Sequence, residues 1–299
     1  MEKIIPSVPA KSIVFKNASP DSWFGLDYNM NIYRGCSHGC IYCDSRSNCF
    51  QVTDFDVVKM KENALQIIRD DLRRKVKTGV IGTGSMSDPY NPLERELNLT
   101  RNSLELMNAF GFGVSLITKS PLVTRDIDVL QDINTHSPVI VQFSITAADD
   151  ELCKKIEPNI SVASERFEAL SMLAQSGIFC GVAINPTLPY ITDSEDNIKK
   201  LLQMAKDAGA KFVYTFMSLT LRPGSREYYY DHLDKHFPGV REQYVKRYGN
   251  YKYCNTPNAK KLWSVFTAEC ERLGLLYDMK AITHAYKYSR PNTQMTLFD

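Results

Sequence analysis

The sequence predicts an α/β fold built on a parallel sheet. Three observations carry this: six short β-rich apolar runs recur from about residue 29 onward, helical stretches separate them, and glycines stand where those helices should end. Runs that are apolar on successive residues suit strands covered on both faces. Six β-then-α units in succession imply right-handed crossovers and a parallel ladder. Such a sheet either stays open or curls into a full or partial barrel. In either form the chemistry is expected at the C-terminal ends of the strands.

In chain order the strands are expected at 29–33 (NMNIY), 80–84 (VIGTG), 114–119 (VSLITK), 139–146 (VIVQFSIT), 179–185 (FCGVAIN) and 212–218 (FVYTFMS). Residues 61–76 carry the 3.6-residue period of an amphipathic helix. A second helix near 162–176 ends at Gly177, and a third, starting near Thr192, ends at Gly209; both glycines suit the left-handed turn after a helix. Thr192 and Glu195 form a capping-box pair at the start of the third helix. After Arg222-Pro223-Gly224 the pattern changes to tyrosine-rich helices, and 10 of the 16 tyrosines fall in residues 222–299. The expected division is a βα unit over 1–224, a helical region rich in tyrosine and basic residues over 225–291, and an extended tail over 292–299.

With 299 residues, 43% of them apolar and 23% charged, the chain has the composition of a globular protein able to bury a sizeable core. No apolar run approaches the roughly 18 residues of a membrane span. The beginning, MEKIIPSVPAKSIVF, is broken by two prolines and carries no signal-peptide apolar region, so a cytoplasmic location is expected. Residues 222–299 hold 13 Lys/Arg against 8 Asp/Glu, a local +5 in a chain of net +2. That asymmetry reads either as ordinary surface variation or as a face for a polyanion.

Four of the eight cysteines lie between residues 36 and 49, in GCSHGCIYCDSRSNC, just past the first strand. A reducing cytosol disfavours a disulfide framework, so the cluster points to metal. Cys36, Cys40 and Cys43 on one short loop can converge on one centre, with Gly35 and Gly39 letting the backbone wrap closely. Three thiolates leave one iron of a four-iron cluster open for a substrate. The alternative is a zinc site completed by Cys49 or His38.

The CxxxCx(aromatic)C signature after the first strand of a βα series resembles the radical S-adenosylmethionine superfamily, and over about residues 28–225 the similarity runs to its spore photoproduct lyase-like branch. The resemblance implies a partial (β/α)6 TIM-type barrel of parallel strands with a helical C-terminal extension. It implies a [4Fe-4S] cluster on Cys36, Cys40 and Cys43, S-adenosyl-L-methionine chelated to the open iron, and reductive cleavage to a 5′-deoxyadenosyl radical. By the same likeness Tyr42 takes the aromatic slot beside the adenine. Ser87 and Asp88, in GTGSMSDPYNPLE, suit the methionine amino group, with a turn or cap before Pro89 as the alternative for Asp88. Lys119 and Ser144 match cofactor-contacting positions, Lys119 as a partner for the methionine carboxylate. Glu157-Pro158 and Arg166 also match, either as ligand contacts or as an internal ion pair, and Asn185 is placed to meet the adenosine. Two departures stand out. Ser85 occupies the position of the lyase's hydrogen-donating cysteine, and Asp44 that of a tyrosine. Cys180, on a strand, is a candidate replacement donor or a core cysteine. No catalytic residue beyond the cofactor set is assigned.

REQYVKRYGNYKY (241–253) interleaves basic and aromatic residues, which suits phosphate contact and base stacking, or equally a helical cap packed on the barrel. His232 and His236 share a helix face and read as surface residues. Gln294, Leu297 and Phe298 resemble the peptide by which bacterial replication and repair proteins dock on the sliding clamp, two apolar anchors on an extended tail; tucking into the chain's own core is the alternative. The expected function is a radical enzyme of lyase or repair type acting on DNA, fed by a flavodoxin- or ferredoxin-type electron donor. The alternatives are a tRNA, peptide or metabolite substrate, or a non-catalytic metal module docking on the clamp.

Overall fold

The computed structural model describes residues 5–20 and 22–288. Its main sheet has seven strands: β1 (Val14–Lys16), β2 (Tyr28–Met30), β3 (Val80–Thr83), β4 (Gly113–Thr118), β5 (Val139–Ser144), β6 (Cys180–Ala183) and β7 (Phe212–Tyr214). Their order across the sheet is their order in the chain, with β2 to β7 parallel and β1 antiparallel to β2 at one edge. A doubly wound sheet reverses its strand order at a switch point. Winding in one direction throughout keeps every right-handed crossover on the same face and curls the sheet. With β1 and β7 at opposite ends of the ladder, the result is a partial barrel of six parallel strands.

Helices α1 (Ala64–Arg73), α2 (Leu99–Ala109), α3 (Ile127–His136), α4 (Ala163–Gln175) and α5 (Glu195–Asp207) cover the outside. Alternation along each strand decides which residues meet them. Val114, Leu116, Val139, Val141, Phe143, Val182 and Val213 share one core with Ile68, Leu104, Ile133, Leu170 and Leu201 from the helices. Val80, Ile140, Phe212 and Tyr214 point the other way and form a separate cluster with Phe24, Leu26, Ile282 and Tyr286. Gln142 and Ser115, bonded at 3.3 Å, are buried on that second face as well.

All six expected strands are present, and the ends of α4 and α5 follow expectation. Gly177 and Gly209 adopt φ of +78° and +84°, with Ile178 N–H donating to Leu173 O and Ala210 N–H to Ala205 O. Two details differ. The cap of α5 is Ser194, whose hydroxyl accepts from Asn197 N–H at 3.1 Å, while Thr192 Oγ1 accepts from Leu188 N–H and closes the preceding loop. The last strand stops at Tyr214 rather than reaching residue 218. Met217 is left-handed (φ +51°), and Ser218–Thr220 pairs instead with Tyr253–Asn255 in a two-stranded antiparallel ribbon.

Helices α6 (Ser225–His236), α7 (Val240–Tyr248), α8 (Ala259–Leu273) and α9 (Met279–Tyr288) make up the C-terminal part. Leu262, Phe266 and Cys270 of α8 belong to the same core as the barrel helices. Leu276 extends the sheet beside β7, and α9 lays Ile282 and Tyr286 on the residues of the second cluster. The tyrosines divide between two roles. Tyr229 and Tyr244 are buried with their hydroxyls 3.1 Å apart, whereas Tyr251 and Tyr253 are 78% and 53% exposed. No helix among the described residues is long and apolar enough to cross a membrane. Gln294, Leu297 and Phe298 lie outside the described residues.

Candidate active site at the barrel mouth

The cysteine loop follows β2 and is held over the strand ends by backbone contacts. Cys36 N–H donates to Phe55 O, Ile41 N–H to Ile156 O, and Asn159 N–H to His38 O. Gly35 is required: its φ is +81°, and a Cβ there would lie 2.6 Å from Val57 O. Across the mouth Gly84 follows β3 with φ +98°, where a Cβ would sit 1.9 Å from Ile117 O, so the 84–88 loop presses directly on β4.

Between these loops lies a cavity of about 260 Å³ lined by Cys36, Cys40, Cys43, His38, Ser85, Ser87, Asp88, Lys119, Ser144 and Asn185, among others. The three thiols, Lys119, Ser144 and Asn185 are therefore brought together. Tyr42 lines an adjoining cavity of about 390 Å³, which shares Trp23, Cys43, Ser45, Ser85, Lys119 and Asn185 with the first and extends to Phe216 and the 218–220 strand.

Arg166 is not among the lining residues of either cavity. It is 0% exposed and lies behind the site, 2.5 Å from Glu157 Oε2 and donating to Ser144 O at 2.9 Å. Glu157 in turn accepts from the Tyr42 hydroxyl. Burial pushes the Glu157 carboxyl up, but Arg166 and Lys119 outweigh it and hold the group below its usual range. Asp88 reaches the cavity wall, yet its oxygens accept from Tyr90 N–H at 2.9 Å, Thr118 Oγ1 at 2.7 Å and Lys119 N–H at 2.8 Å. Those three donors tie the 84–88 loop to the end of β4. Ser87 Oγ donates to Gly35 O, tying the same loop to the cysteine loop.

Cys180, the candidate hydrogen donor, lies on the helix side of β6, where its thiol meets Leu170 O; Ala183, an odd number of residues along, faces the cavity. Ser85 lines both cavities. Asp44 is paired with Arg222 and joins the cysteine loop to the C-terminal part. His232 Nδ1 contacts Tyr228 O on its own helix.

Burial pushes Cys36 up to about 11 and raises Cys40 and Cys43 too, with Lys119 opposing the shift at the latter two. A bound cation reverses that balance, because coordination deprotonates thiols outright. Among the described residues no three Cys, His, Asp or Glu side chains converge on a single ion. Cys36, Cys40 and Cys43 share the wall of one cavity, which fits a cluster whose irons take one thiolate each. Two buried polar atoms beside the cavity, His38 Nε2 and Asn185 Nδ2, have no hydrogen-bond partner among the described residues. Burial lowers the His38 imidazole despite Asp88, 3.7 Å from its Nδ1. Sequence reasoning missed Trp23 and Phe216 at this mouth. Phe216 was hidden inside an apolar run read as one strand, and Trp23 stands in a short 3₁₀ turn with no periodic signal.

The Radical SAM superfamily model matches residues 30–202. An uncharacterised protein of Mycobacterium tuberculosis is 30% identical, covering 76% of this chain and 68% of its own length. One from Methanocaldococcus jannaschii is likewise 30% identical, over 75% of this chain and 81% of its own. Among solved structures, a spore photoproduct lyase mutant with bound AdoMet and dinucleoside spore photoproduct superposes with a TM-score of 0.64 at 17% identity, covering 85% of this chain and 76% of that one. At that identity the likeness is one of fold.

Proposed function

The chain belongs to the radical SAM superfamily and uses a [4Fe-4S] cluster with S-adenosylmethionine, and from that premise we propose that it is a cytoplasmic lyase- or repair-type enzyme acting on DNA. The observation that carries this reading is the pair of joined cavities, one walled by three cysteines and the other opening past Cys43, Lys119 and Asn185 toward the C-terminal part.

Cys36, Cys40 and Cys43 would hold the cluster, which, fed by a flavodoxin- or ferredoxin-type donor, would supply the electron for reductive cleavage of S-adenosylmethionine. Lys119 is charged and half-buried; burial works against its charge, but Cys40 and Glu157 outweigh that and hold its pKa up, which suits a carboxylate partner. Tyr42, with its ring 5.8 Å from Lys119 Nζ and its hydroxyl anchored on Glu157, is a fixed aromatic wall for the adenine. Asn185 Nδ2 and the Ser144 hydroxyl provide polar contacts on the strand ends. Ser87 and Asp88 shape the amino-group end, and Arg166 acts through Glu157 and Ser144 O as a positioning residue.

The DNA assignment draws on the exposed aromatic and basic surface around Arg247, Tyr248, Tyr251 and Tyr253, with Lys252 Nζ 4.7 Å from the Tyr253 ring. The spore photoproduct lyase neighbour holds a dinucleoside lesion in its structure. Ser85 carries no thiol, and its O–H bond is too strong to return a hydrogen atom, so the reaction is proposed to differ from that lyase's in how its product radical is quenched. Docking of the Gln294, Leu297 and Phe298 tail on a sliding clamp is proposed separately; deletion of 294–298 should abolish clamp pull-down.

The decisive experiment is anaerobic reconstitution with iron and sulfide, then S-adenosylmethionine and dithionite, with and without ultraviolet-irradiated DNA. Release of 5′-deoxyadenosine, with new products only when DNA is present, supports the proposal. Cofactor cleavage with no change in any DNA would move the substrate to tRNA, peptide or metabolite.

A further inference from the structure

Phe216 is 60% exposed although Tyr214, Thr215 and Met217 around it are buried. The backbone is arranged to keep it so. Met217 holds a left-handed φ of +51°, unusual for a bulky residue, and its N–H donates to Thr215 Oγ1 at 3.2 Å. Phe216 N–H donates to Asn185 Oδ1 at 3.0 Å, fixing the ring to the end of β6. One face of the ring stacks on Trp23, with centroids 5.7 Å apart at 28°, and the Tyr214 ring lies 4.8 Å away at 80°. Burying a phenyl ring is the favourable course for folding. Here two hydrogen bonds and a disfavoured torsion hold it open beside the cofactor cavity.

Trp23 and Phe216 both line the outer cavity, and Trp23 lines the inner one too. Around them the same cavity carries Ser45, Ser85, Asn185, Ser218 and Thr220. A rigid aromatic surface flanked by hydroxyls and an amide suits a flat ring with hydrogen-bonding edges. The cavity, about 390 Å³, has room for one such ring with its sugar. Its strand wall, Ser218–Thr220, pairs directly with Tyr253–Asn255, which leads to the exposed basic and aromatic surface.

We propose that Trp23 and Phe216 form the platform on which one unstacked nucleobase of the substrate lies, beside the cofactor cavity. This rests on the nucleic-acid reading above, and the test separates the two. Trp263→Phe leaves Trp23 as the single indole of the chain's two. Reconstituted protein carrying that change is titrated with thymidylyl-thymidine and with a short oligothymidylate, following indole fluorescence. Both probes should quench Trp23 to saturation. Phe216→Ala and Phe216→Leu should weaken binding roughly 10-fold, while Phe216→Tyr stays within about 3-fold, because stacking needs a planar ring and not merely apolar volume. Iron content and far-UV circular dichroism report whether each variant is folded; if Phe216→Ala is not, the Tyr and Leu pair decides. Binding equal to the parent in Phe216→Leu overturns the platform and leaves the nucleic-acid reading standing. Failure of the parent to bind either probe overturns both.

Discussion

Arg166→Met tests the charge arrangement behind the cofactor cavity. Glu157 and Arg166 are both removed from solvent, and Arg166 Nη2 lies 2.5 Å from Glu157 Oε2. Burial alone would raise the carboxyl; Arg166, then Lys119 and the Tyr42 hydroxyl, bring it below its usual value. A lowered carboxylate contributes stability above its unfolded pKa, near 4.3, and loses it as pH falls through the lower folded value. Without the guanidinium, burial prevails and the folded pKa of Glu157 rises above the unfolded one. The sign then reverses, and stability declines as pH rises from about 4.3 through the raised value. Leaving one member of a buried pair unpaired costs about 3–5 kcal/mol. At ~2.1 cal/mol/K per residue over this chain that corresponds to a fall in Tm of about 5–8 °C near pH 8, shrinking toward pH 5. The assay is thermal unfolding of reconstituted protein, followed by far-UV circular dichroism across that pH range. Adding Glu157→Gln to Arg166→Met should recover most of the loss at pH 8. A deficit below about 1 kcal/mol and flat with pH would refute the reasoning.

Cys40→Ala should remove the visible cluster absorbance and 5′-deoxyadenosine together, as read by absorption and chromatography. Cys180→Ala should keep both and cost only about 1 kcal/mol in a denaturant melt, because its thiol packs under α4 and away from the cavity; loss of 5′-deoxyadenosine there would contradict the face assignment. Gly84→Ala should lower stability by at least about 2 kcal/mol in the same melt, since φ is +98° and the new methyl would meet Ile117 O. Arg247→Ala with Lys252→Ala should reduce the slope of log affinity for DNA against log salt by about 1 per charge, measured by fluorescence anisotropy.

Most of the strands were legible because they are buried on two sides and so read as nearly unbroken apolar runs; Val139–Ser144 is the clearest case. The ends of α4 and α5 were legible because a left-handed turn favours glycine, at 177 and 209. Polar residues were harder to place. Asp88 and Lys119 stand at neighbouring strand ends and read alike as site residues. Only the fold shows that the Asp88 carboxylate is taken up by Tyr90, Thr118 and the Lys119 backbone. Arg166 read equally as a ligand contact or as the partner of Glu157, and depth of burial places it in the pair. The tyrosines of 222–299 share one composition but divide between a buried pair, Tyr229 and Tyr244, and an exposed surface at Tyr251 and Tyr253.

By itself the sequence determined the chemistry that lies within a few residues of chain. Three thiols between 36 and 43, on a loop opened by Gly35, carry their metal preference in their spacing, because ligands on one loop need no distant partner to converge. What the tertiary structure decided is which side chains share a cavity. That depends on strand parity, which sends Ala183 inward and Cys180 outward, and on one-directional winding, which brings Trp23 beside Phe216 from opposite ends of the barrel. Neither relation is local, since each is set by the register of a ladder that exists only once the sheet has formed.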